Sequence, residues 1–169
     1  MTNTKRPYTG FDKIGKAPHP AAAKLMELLQ RRWNMSNMGL LNVRLMRSAP
    51  AGTKPDDPKW LSVHATGRAG DTGAPGTGKA QQALLREVFD YLVANADELY
   101  LEEVHDYSFG GPDGWGRGYR CSRADNKEHG VKVWTATDNG GSRHGCWIHF
   151  EVSPDADPTK LEAWFRAHK

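Results

Sequence analysis

Leu25, Leu28, Leu29 and Trp33 recur at the three- and four-residue spacing of one helical face, and Pro20 suits a first-turn position. The chain from Pro20 to about Asn34 is therefore predicted to be an amphipathic helix. A wider stripe of Ala80, Leu84, Leu85, Val88, Phe89, Leu92 and Val93 predicts a core helix over Lys79 to Ala96. Leu161, Trp164 and Phe165 form a third stripe behind Asp157-Pro158, a cap followed by a first-turn proline. Elsewhere the period drops to two. Leu40 to Met46 sets Leu41, Val43 and Leu45 against Asn42, Arg44 and Met46, and reads as a strand with Arg44 on its polar side. Trp147 to Val152 sets Ile148, Phe150 and Val152 against Trp147, His149 and Glu151. Lys132 to Thr135 is a shorter strand, and the turn signal Asp138-Asn-Gly-Gly141 makes Trp147 to Val152 its expected hairpin or sheet partner. Leu99 to His105 reads as an edge strand whose Glu102, Glu103, His105 and the following Asp106 are solvated.

Composition narrows this to an α+β domain. A length of 169 residues with 38% hydrophobic content supports a single core, and 18 Gly with 10 Pro at a mean hydropathy of −0.70 surround it with long Gly/Pro-rich loops. The expected architecture is a small, mostly antiparallel sheet flanked by helices. Residues 1–19 are polar and Pro/Gly-punctuated and read as an extended N-terminal arm, with 20–169 as one domain. Ser48 to Lys59 is a Pro/Asp/Gly-rich loop. Tyr107 to Tyr119 carries five glycines with Phe109 and Trp115, which suits either stacking on a ligand or a loop pinned by its own aromatics. Basic and acidic residues, 23 and 20, are interspersed for a net charge of +3, which argues against a nucleic-acid surface. No apolar run approaches the ~18 residues of a membrane span, and Met-Thr-Asn-Thr-Lys-Arg lacks the apolar core of a signal peptide. Cys121 and Cys146 are too few for a disulfide framework and read as free thiols.

The chemistry concentrates in Ser62 to Asp71, Ser-Val-His-Ala-Thr-Gly-Arg-Ala-Gly-Asp. His64 and Asp71 are a nitrogen and an oxygen donor separated by a Gly-containing turn able to fold both toward one point. The best third donor is His149, within Cys146-Trp-Ile-His-Phe-Glu151, where alternation sets it opposite the apolar residues. Two histidines and a carboxylate suit Zn²⁺ and leave a fourth tetrahedral position for water. Just beyond, Gly73-Ala-Pro-Gly-Thr-Gly-Lys79 has the spacing of a phosphate-binding loop, but Ala80 stands where a hydroxyl should hold Mg²⁺. That stretch reads as a connection into the next helix.

Ser62, His64, Gly67, Ala69 and Asp71 fill every fixed position of the signature SxHxxGxAxD. With the later His149-Phe150, the chain from Leu40 to Val152 resembles the zinc D-alanyl-D-alanine carboxypeptidases and L-alanyl-D-glutamate endopeptidases, which cut peptidoglycan peptides. The resemblance implies His64, Asp71 and His149 as zinc ligands. It also implies a substrate-binding Arg on the preceding strand, Arg44 or its rival Arg47, and a general-base carboxylate three residues before the last His. That place is held by Cys146. Three alternatives follow: His144, Glu151, Glu103 or His105 serves as base; Cys146 is a fourth, thiolate ligand in a structural site; or Cys146 packs beside a weak or inactive site. The implied partner is bacterial peptidoglycan, reached from a phage virion or from the host cytoplasm at lysis. The expected function is a zinc peptidase of endolysin or virion-associated type. The alternative is a non-catalytic, zinc-stabilised wall-binding or structural part of a phage particle among other virion proteins.

Overall fold

In the computed structural model, which describes residues 3–110, 114–138 and 143–168, the first stripe forms helix α1 (Pro20–Trp33). Its first free amide is met by the His19 side chain, and left-handed Asn34 ends it. The second stripe forms α2 (Gly78–Ala94), which buries Leu85, Val88, Phe89 and Leu92. The third forms α3 (Pro158–Ala167), capped by the Asp157 carboxylate, which accepts from the Thr159 and Lys160 amides. None of these helices is long and apolar enough to cross a membrane.

Six strands make one antiparallel, open sheet: β1 (Ser36–Gly39), β2 (Ala69–Gly73), β3 (Leu101–Asp106), β4 (Arg117–Arg120), β5 (Val131–Val133) and β6 (Trp147–Val152), in the order β1-β2-β6-β3-β4-β5. The small α+β architecture expected from the periodicities is the one observed. Three details differ. Leu40 to Met46 is not a strand of the sheet; it lies against residues 60–64, through Asn42 N–H to His64 O, Ser62 N–H to Arg44 O and Met46 N–H to Trp60 O. No layer covers its outer side, so Val43 is 51% exposed despite its place in the alternation. β6 does not pair with β5. It lies between β2 and β3, buried from Ile148 to Val152, because a strand buried on both faces needs hydrogen-bonding neighbours on both edges. β3 is likewise central, and its charges are buried with partners. Glu102 accepts from Thr9 and faces Arg68, Glu103 accepts from Arg120 and Tyr8, and Asp106 accepts from Ser108 and Arg117.

The sheet has two unlike faces. Ile148, Phe150, Val152, Leu101, Val104 and Tyr119 pack with the helices in one apolar core. The opposite face is polar, and register aligns it in two rows. Asp71, His149, His105 and Gly118 lie side by side across β2, β6, β3 and β4, and Ala69, Glu151, Glu103 and Arg120 form the row beside them. Residues 3–19 contain no helix or strand. They run past the motif turn, with Gly15 N–H to Ala65 O and His19 N–H to Gly67 O, and along this polar face through Arg6, Tyr8 and Thr9.

Candidate metal centre

Each fixed residue of the motif has a local task. The Ser62 hydroxyl accepts from the His64 amide and caps a short 3₁₀ turn, Val63–Thr66. Gly67 closes that turn at φ 78°, returning its amide to His64 O, and a Cβ there would stand 2.5 Å from Ala17 O. Only glycine satisfies both the left-handed backbone and the close approach of the arm. Ala69, fully buried, then starts β2, which carries Asp71 back beside His64. β6 brings His149 into register opposite Asp71.

His64, Asp71 and His149 each offer a donor atom, and the three atoms lie within 4.8 Å of one another. His149 Nδ1 is 2.9 Å from Asp71 Oδ1, and His64 Nε2 is 3.2 Å from Asp71 Oδ2. The two imidazole centroids are 5.0 Å apart. His64 Nδ1 lies 3.4 Å from Leu40 O; a proton donated there leaves Nε2 as the lone-pair nitrogen. That Nε2 is buried and makes no hydrogen bond, because its approach to Asp71 is close but poorly aligned. A buried lone pair without a donor, beside a carboxylate and a second imidazole, is what a divalent cation satisfies. The residues therefore fit a metal ion on their own geometry. Without one, Asp71 and His149 hold each other's charge. Burial opposes charge on both partners, but hydrogen bonds and charges from Asp71 and Glu151 lift His149 to about 10, and His149 above all, with His64 close by, holds Asp71 well below the carboxylate range.

Beside these donors is a small depression of about 40 Å³ lined by Met38, Gly39, Asn42, Arg44, His64 and Asp71. Arg44 thus borders the site and is exposed, whereas Arg47 does not line it. Cys146 is an exposed free thiol outside the donor group, so among the described residues the closed four-ligand arrangement is absent. His144 is exposed and stacks over Gly114, which accepts its backbone amide. A larger groove of about 540 Å³, lined by residues of α1 and α3, shares no residue with the donors.

The flanks of the site were not legible as a set. Glu151 Oε1 lies 3.0 Å from His149 Nε2, and the Tyr8 hydroxyl donates to Glu151 Oε2 at 2.8 Å. Glu103 Oε2 lies 3.3 Å from His105 Nε2, and His105 Nδ1 lies 3.3 Å from the Tyr107 hydroxyl. The His105 ring is 5.0 Å from that of His149, with Trp134 and Tyr107 packed edge-on against it. Two-residue spacing on β3 and β6 signals that Glu103 shares a face with His105 and His149 with Glu151. Nothing local to Tyr8 signals its part. Burial, reinforced by Glu151 and Glu103, pushes its phenol far up, so Tyr8 remains a donor. Compared with family models, curated proteins and solved structures, the chain finds no match.

Proposed function

We propose that the chain is a zinc-dependent peptidase that hydrolyses an amide bond in bacterial peptidoglycan peptides, as a phage endolysin or virion-associated wall hydrolase. The observation that carries this reading is the convergence of His64, Asp71 and His149 at one buried point beside exposed Arg44. His64 Nε2, His149 Nδ1 and an Asp71 oxygen are the atoms that would hold the ion. Bound there, zinc supplies Lewis acidity, polarising the scissile carbonyl and activating water. Arg44 supplies a guanidinium to a substrate carbonyl or carboxylate oxygen at the rim.

The proton-transfer role falls to His105. Glu103 accepts from Nε2–H and so leaves Nδ1 as the acceptor nitrogen, directed at the Tyr107 hydroxyl. Burial and the charges of Asp71, Glu103 and Glu151 raise Tyr107, keeping its phenol protonated. As water adds to the carbonyl carbon, its proton passes to Tyr107 Oη while the phenolic proton moves to His105 Nδ1. The same path returns a proton to the amine nitrogen when the C–N bond breaks. Glu103 and Glu151 are already engaged by Arg120, Tyr8 and His149, whereas His105 Nδ1 faces a hydroxyl that can pass it a proton.

Digestion of intact peptidoglycan by the zinc-loaded chain, with and without a chelator, tests this reading through the new amine and carboxyl ends found by mass spectrometry. Chelator-sensitive cleavage is expected. One observation favours a second reading: Cys146, an exposed thiol, stands where the resemblance implies a general-base carboxylate. A chain that holds zinc and cuts no wall type would be the non-catalytic, zinc-stabilised phage component.

A further inference from the structure

We infer that the N-terminal arm is a working part of the metal centre, with Tyr8 acting through Glu151 to fix which nitrogen of His149 faces the ion. The inference rests on His64, Asp71 and His149 binding metal. An imidazole presents either nitrogen, and a site built for one of them must occupy the other. His149 Nδ1 is the nitrogen beside Asp71, at 2.9 Å, and Nε2 faces Glu151 Oε1, at 3.0 Å. A carboxylate accepting from Nε2–H leaves the Nδ1 lone pair for the cation.

Glu151 does not hold this position unaided. Its second oxygen accepts from the Tyr8 hydroxyl at 2.8 Å, and the same hydroxyl lies 3.3 Å from Glu103 Oε2. Tyr8 therefore spans the carboxylate behind His149 and the carboxylate behind His105. The Tyr8 ring lies under the Arg120 guanidinium, 4.4 Å away. The arm is pinned on both sides of it, by Arg6 N–H to Cys121 O (3.2 Å) and Arg6 Nη2 to Leu101 O (2.8 Å), and by Thr9 Oγ1 to Glu102 Oε1 (2.6 Å). Both Glu151 oxygens are thus committed, one to His149 and one to Tyr8, 143 positions away in sequence. Tyr8 and Glu151 are positioning residues.

The test is the zinc affinity of the 169-residue chain, measured by competition with a chromophoric chelator. Glu151→Ala is expected to weaken zinc by roughly 10–100-fold, the usual cost of losing an outer partner of a ligating histidine. Glu151→Gln should retain more affinity, since its amide oxygen still accepts from Nε2–H. Tyr8→Phe should weaken zinc in the same direction by less. Thr9→Val removes only the hydroxyl bond to Glu102 Oε1, keeps the Thr9 amide on Oε2 and so the arm's course, and should leave zinc affinity unchanged, whatever it does to the melting temperature. In the zinc-loaded protein, the Nε2–H proton of His149 should give a downfield NMR signal that shifts in Tyr8→Phe and is lost to exchange in Glu151→Ala. Wild-type affinity and an unmoved signal in Tyr8→Phe would overturn the inference and make the arm only a strap. A wild-type chain that takes up no zinc would instead sink the metal reading itself.

Discussion

β6 presents Ile148, Phe150 and Val152 to one layer and His149 and Glu151 to the other, and both sets are buried: 0% exposed on the first face, 7% and 4% on the second. Equal burial has opposite consequences. On the helix side, removal from water is itself the stabilising event, about 1.5–3 kcal/mol for each large apolar side chain. On the other side, each buried charge costs free energy until a partner meets it. The polar face is accordingly built of pairs, Asp71 with His149, Glu151 with His149 and Tyr8, and Glu103 with His105 and Arg120, and His64 Nε2 is the buried donor atom left over beside Asp71. One face carries stability and the other carries chemistry. Substitutions should separate the two.

The largest expected effect is on the polar face. His149→Ala removes a ligand and should cost zinc affinity well beyond the ~10–100-fold of an outer partner, read as loss of zinc from protein purified without chelators. Circular dichroism should still report the helices, since they pack with the apolar face of the sheet. Phe150→Ala is the counterpart one residue away. Phe150 is fully buried, and its ring fills the space over Gly70, where a Cβ would stand 2.5 Å from Phe150 Cζ. Truncation should destabilise the fold by roughly 3–5 kcal/mol in urea unfolding, with zinc stoichiometry of the folded fraction unchanged. If Phe150→Ala instead stripped the metal while His149→Ala lowered stability alone, the division between faces would be wrong.

A smaller, pH-dependent effect sharpens the comparison. Burial would raise the Glu103 carboxyl, but His105 and Arg120 outweigh it and hold it well below the usual range. The folded value is depressed, so this contribution is fully present above the unfolded value near ~4.3 and disappears as pH falls through the folded one. Chelated wild-type protein should lose on the order of a few kcal/mol between about pH 5 and 2. Glu103→Gln, which carries no titrating carboxylate, should start less stable at neutral pH and show a flatter acid limb. A limb of unchanged steepness would mean that the polar face is held together by something other than this pairing.

How much of this was legible follows the same division. Apolar stripes and alternation reveal what one element does with its own residues. They placed all three helices to within a few residues, and they set His149 opposite Phe150. His64 and Asp71 were legible because one turn joins them. What periodicity does not encode is which strand lies beside which. The central positions of β3 and β6 were therefore missed, and Glu102, Glu103 and Asp106 looked solvated because their counter-charges lie on Arg68, Arg120 and Arg117. The alternation of Leu40 to Met46 was real, but its partner is the irregular chain at 60–64. Tyr8 was invisible for the plainest reason, since the residue it serves lies 143 positions away.

The smallest effect is the cleanest control. Asp157 caps α3, accepting from the Thr159 amide at 2.8 Å and from the Lys160 amide at 3.4 Å. These are orphan donors of the first turn, and replacing such a cap by alanine costs about 1 kcal/mol. α3 packs against α1 through the apolar layer, with Leu161 and Phe165 buried, so the loss should appear in the unfolding free energy. No hydrogen bond of α3 reaches His64, Asp71, His149 or their partners among the described residues. Asp157→Ala should therefore lower thermal stability while leaving zinc affinity, and the ratio of Tyr8→Phe to wild-type affinity, where they were. A cap variant that also weakened zinc would show that the helical layer tensions the sheet, and the two faces of β6 would have to be treated as one cooperative unit.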